Sequence, residues 1–105
     1  MNTYIYQHAK LGDMILCNGL IRHLLSKLNK NEKIFLFCRK QNLKSVKFLY
    51  RDEKRINLIS INENLSLKDQ KLLINFEHYK IDHYINKIKK KNKIKYIKIG
   101  FEHYH

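Results

Sequence analysis

Three glycines and two cysteines are all that this 105-residue sequence contains, and it has no proline. These scarcities exclude whole classes of function. The dinucleotide fingerprint G-x-G-x-x-G needs three glycines in one turn, whereas Gly12 stands by itself and Gly19 lies two helical turns further on. No G-x-x-x-x-G-K-[ST] occurs, so a P-loop is excluded. Cys17 and Cys38 form neither a disulfide framework nor a metal quartet, and both fall in apolar segments where a small buried thiol is the ordinary reading. No run approaches the ~20 apolar residues of a membrane span, and no N-terminal stretch resembles a secretory signal. A cytoplasmic protein without a membrane span is the expectation.

Acidic residues are also scarce: nine, against 22 lysines and arginines, for a net charge of +13. Such an excess ordinarily points to a polyanion partner. Here lysine supplies 18 of the 22, and lysine, isoleucine and asparagine together make up 43 of the 105 residues. All three have A/T-rich codons, so genome composition accounts for the charge. Arginine, which makes bidentate base contacts, occurs only at positions 22, 39, 51 and 55. No specific nucleic-acid partner is therefore expected. The 44% hydrophobic content argues for a folded chain, and the length for a single domain, residues 1–105.

The organising stretch is YIYQHAKLGDMILCNGLIRHLLSKL, Tyr4 to Leu28. Tyr4, Ile5 and Tyr6 are strand formers. His8 to Gly12 reads as a turn, and Asp13 as the N-cap of a helix, where its carboxylate meets unpaired backbone N–H groups and the positive dipole end. Cys17, Leu20, Ile21, Leu24, Leu25 and Leu28 share one helical face, with Asn18, Gly19, Arg22, His23, Ser26 and Lys27 opposite. Ile34–Cys38 is an unbroken apolar run, as in a parallel strand covered on both faces, and Arg39-Lys40-Gln41 is its loop. Asn42 caps a helix to about Arg51, and Ile56–Ile61 is a third strand. Ser66-Leu67-Lys68-Asp69 resembles a capping box for a further helix using Leu67, Leu72 and Leu73. Ile81, Ile85 and Ile88 mark helical spacing up to Lys91, and Lys93–Ile99 is a fourth strand. The lysines from 87 to 98 read as a solvated helix end and turn. FEHY occurs at residues 76–79 and 101–104, without the period that a repeat architecture requires.

This alternation predicts a Rossmann-like α/β domain: a parallel sheet of about four strands, order 3-2-1-4, flanked by helices. A fourth strand followed by only a few residues suggests half of a larger two-domain protein, because such a strand is normally followed by a covering helix.

Leu11, Gly12, Asp13, Met14 and Ile15 resemble the (hydrophobic)-G-D-(hydrophobic) loop that follows the first strand of heptosyltransferase-like glycosyltransferases of the B-type, two-domain fold. The proline that often follows in that family is absent here. The resemblance covers the first third of the chain. It implies an acceptor-side, N-terminal domain in which Asp13 deprotonates the acceptor hydroxyl, with a second domain or subunit binding the nucleotide-sugar donor. On that reading the chain is inactive by itself.

With strands one and four adjacent, the residues themselves place His8, Lys10 and Asp13 near Glu102 and His103, and Gly12 of the same loop is a further ligand-binding candidate. That group suits a sugar or phosphate, or acid–base chemistry in which His8 joins Asp13. Asn18, Arg22 and Arg39 complete the candidate ligand-binding set. Solvated side chains are the plain alternative for each, and surface cover for Arg22. His78 with His83 and His103 with His105 lack any zinc-motif context, so neither metal nor cofactor is expected. A non-catalytic module binding nucleotide, polyanion or protein is the rival reading.

Overall fold

The computed structural model describes residues 1–7, 11–61 and 70–99. Its elements run β1 (Asn2–Gln7), α1 (Leu11–Leu16), α2 (Asn18–Ser26), β2 (Ile34–Arg39), a 3-10 turn (Lys40–Asn42), α3 (Leu43–Leu49), β3 (Ile56–Ile61), α4 (Gln70–Lys89) and β4 (Ile94–Ile99). The four strands form one all-parallel sheet in the order β3-β2-β1-β4, as the strand and helix rhythm predicts.

The two faces of the sheet are covered separately, which explains why its central strands are apolar in continuous runs. On one face Ile5, Ile34, Leu36, Cys38 and Ile56 pack against Met14 of α1, Ile21 and Leu25 of α2, Val46 of α3, and Tyr50. On the other, Tyr4, Tyr6, Phe37 and Ile61 pack against Ile81 and Ile85 of α4. Alternate residues of β1 and β2 therefore enter different cores, following the period-2 geometry of a strand. Tyr4 stacks on Phe35 with ring centroids 4.8 Å apart, and Tyr84 of α4 meets Phe37 edge-on at 5.6 Å.

Five expectations change. The segment after β1 is two helices, with one non-helical residue, Cys17, at φ −84°, ψ 0° between them. Cys17 donates its N–H to the Asp13 carbonyl and accepts from Ile21, both at 3.0 Å, so the chain continues in nearly helical fashion through the break. Gly12 and Asp13 lie inside α1, so Gly12 is no turn residue and Asp13 is a first-turn residue, not the N-cap. Leu20, assigned to the apolar face, is exposed, while Met14 is fully buried. Asn42 occupies the N-cap of α3 without a side-chain capping bond. Finally, the two helices expected between β3 and β4 are, as far as described, the single 20-residue α4; the capping box at 66–69 lies outside the described residues.

Candidate functional site

In an open parallel sheet, ligands collect outside the carboxyl ends of the strands, where the connections diverge to opposite faces. Here α1, α2 and α3 pack on one face and α4 on the other. The switch point is therefore between β1 and β4. Gln7 ends β1 there, paired in register with Ile99 at the end of β4. It is 1% exposed, and neither its Nε2 nor its Oε1 has a hydrogen-bond partner among the described residues. A buried, unbonded amide costs about 1–3 kcal/mol, so Gln7 is the most unusual polar group of this edge.

Helix α1 follows. Asp13 is half-buried in its first turn, where a negative charge suits the helix dipole. Gly12 is exposed, and a Cβ built on it would meet nothing within 4 Å. Neither crowding nor backbone conformation demands glycine at that position.

The α4 face holds a second polar group. Arg39, the last residue of β2, pairs through Nε with Oε1 of Glu77, and the two side chains are 8% and 2% exposed. The Tyr6 hydroxyl donates to Glu77 Oε2 at 3.4 Å, and the His78 ring stands edge-on to Tyr6 at 5.4 Å. Burial first, and then the Glu77 charge, raise the Tyr6 hydroxyl far above its ordinary pKa. Tyr6 is thus a permanent neutral donor. Glu77 neutralises Arg39, and the pair anchors α4 across β1 and β2.

Asn18 and Arg22 lie elsewhere. Arg22 donates from Nε to Asn18 Oδ1 at 2.8 Å, from Nη1 and Nη2 to the Asp52 carboxylate at 2.9 Å each, and from Nη2 to the Leu49 carbonyl at 2.9 Å. Its guanidinium also lies over the Tyr50 ring, 5.5 Å from the centroid. The hydrogen bonds from Arg22 hold the Asp52 carboxyl below its usual pKa range. This clamp ties α2 to the turn that leads into β3.

The candidate residues therefore divide. Gly12 and Asp13 stand beside the carboxyl edge in sequence, Arg39 belongs to the Glu77 pair, and Asn18 with Arg22 form the clamp. His8, Lys10, Glu102 and His103 lie outside the described residues. Sequence reasoning missed Gln7, Tyr6 and Glu77. Glu77 carried a signal, because it sits four residues before Ile81 on the stripe continued by Ile85 and Ile88, a carboxylate in an apolar row.

Among the described residues no three His, Cys, Asp or Glu side chains assemble as a metal site, and no helix is long and apolar enough to cross a membrane. Comparison with known proteins finds no family model that matches the chain, and no match among curated proteins or solved structures.

Proposed function

We propose that this chain is the acceptor-side α/β domain of a glycosyltransferase-like protein, binding a sugar at the crevice between β1 and β4. The observation that carries the reading is the Gln7 amide. One primary amide offers both donors and an acceptor, the set that a pair of neighbouring sugar hydroxyls satisfies. The Leu11–Ile15 resemblance supports the same reading, and Asp13 beside this edge is its proton acceptor, with His8 the other candidate. The acceptor oxygen would lose its proton to the carboxylate, form a bond to the anomeric carbon of the donor, and expel the nucleoside diphosphate. A second domain or subunit supplies that donor, in the cytoplasm, so the 105-residue chain alone transfers no sugar.

The test has two parts. Monosaccharides, their phosphates and nucleotide sugars are titrated against the isotopically labelled chain, and the backbone signals of β1 and α1 are followed. Binding that disappears in Gln7→Leu supports the reading; a panel with no ligand for this edge overturns it. In a two-domain protein active in sugar transfer, Asp13→Asn should lower kcat by about 10²–10⁴-fold with little change in melting. Turnover by the isolated chain would remove the need for a donor-binding partner.

The rival is a non-catalytic module for nucleotide, polyanion or protein. It is favoured by the exposed lysines at 87, 89, 90, 91, 93, 95 and 98 around the end of α4 and along β4.

A further inference from the structure

Helix α4 turns two faces to its surroundings. Glu77, Ile81, Ile85 and Ile88 point down onto the sheet. Tyr79, His83, Tyr84 and Lys87 line a groove of about 450 Å³ between the helix and β3, whose floor is Phe37, Ile59 and Ile61. Among the described residues, α4 packs on Tyr4, Phe37 and Ile61 and covers the rest of β3 incompletely. Ile59 accordingly remains half-buried at the sheet edge.

The chemistry of the walls is specific. Tyr79 is 70% exposed and Tyr84 41% exposed. Tyr79 and His83 lie nearly parallel, with an interplanar angle of 9° and centroids 6.3 Å apart. Tyr84 is braced edge-on by Phe37, which holds its ring in place at little entropic cost. Among the described residues no carboxylate lines the groove, whereas Lys80 and Lys87 do. Flat rings set in an apolar trough with lysines in its lining match a planar aromatic ligand that carries negative charge.

We propose that this groove binds a mononucleotide, its base laid against Tyr79 and Tyr84 and its phosphate directed to Lys87. Stacking on aromatic side chains tolerates any base, so the site selects for a nucleotide over a free sugar or free phosphate. It lies over β2 and β3 beneath α4, whereas the crevice lies between β1 and β4, and it does not depend on the sugar-binding reading.

Adenosine 5′-monophosphate, adenosine and orthophosphate, titrated separately into the full chain and followed by the NMR signals of β3 and of the α4 tyrosines, test the proposal. The nucleotide should bind most tightly, adenosine more weakly, and orthophosphate without shifting the ring signals. Tyr79→Ala should weaken nucleotide binding by about 5- to 150-fold. Tyr79 is largely exposed, so the variant should melt like the parent. Lys87→Gln should weaken the nucleotide but not adenosine, and should flatten the salt dependence. Three results would each overturn the assignment: no saturable nucleotide binding at millimolar concentration, unchanged affinity in Tyr79→Ala, or loss of binding in Gln7→Leu. Binding of single-stranded oligonucleotides with none of the mononucleotide would overturn it too.

Discussion

Arg39 and Glu77 are held in a nearly water-free position, where pairing with the other offsets part of the cost of desolvating each ion. Glu77→Gln keeps the shape and an acceptor for the Tyr6 hydroxyl but removes the Glu77 charge from beside a buried guanidinium. It should destabilise the fold by about 3–5 kcal/mol in urea melts, whereas the double change Arg39→Met with Glu77→Leu should cost far less. Tyr50 presents the opposite case. Its hydroxyl is buried with no hydrogen-bond partner among the described residues, so Tyr50→Phe should be neutral or stabilising. Burial, opposed by the Arg22 charge, pushes that hydroxyl up to about 12, and burial pushes the Cys38 thiol up to about 11. In the unfolded chain these groups ionise near their ordinary values of 10.0 and 9.0. Above those values the unfolded state binds fewer protons than the native one, and stability falls as pH rises. The contribution is intact below about pH 9 and is lost progressively toward pH 12. Urea melts across that range should show the decline, with a shallower slope in Tyr50→Phe.

At the scale of elements, one residue separates α1 from α2, yet the helical hydrogen bonding continues through Cys17, and Met14, Ile21 and Leu25 keep one buried face. Ile21 and Leu25 are buried while Leu20 stands 45% exposed, although helical spacing assigns all three to one stripe. Leu20→Gln should change stability by no more than about 0.5 kcal/mol, and Ile21→Ala should cost about 2–5 kcal/mol. Equal losses in chemical denaturation would contradict this division. The sheet was readable because β2 is apolar in an unbroken run and β3 follows a charged turn; strand order then followed from short links and handedness. The break at Cys17 was not, since no glycine or proline marks it. Nor was the continuity of α4, whose polar residues interrupt the apolar stripe around Glu77. Of the site, the Gly12–Asp13 position was apparent from its motif. Gln7 was not, because a polar residue ending a strand looks the same in sequence whether it faces water or a crevice.

Across the whole molecule, the field is set by lysine, 18 residues against nine acids. Charge of this kind attracts any polyanion by counterion release. Binding to duplex DNA should therefore be weak, indifferent to sequence and steeply dependent on salt, largely gone by ~0.2 M. Sequence-selective binding that persists in an electrophoretic shift at that salt would assign the charge a recognition role. The sheet has a second molecular consequence. β1 is an inner strand, yet one of its two neighbours is the last strand among the described residues: Asn2 pairs with Ile94 and Gln7 with Ile99. During synthesis at about 5–20 residues per second, the free edge of β1 waits some 5–20 s for its partner to emerge from the ribosome. The growing chain must carry an open strand through that interval, and its rate of completion depends on the closure of one very long loop.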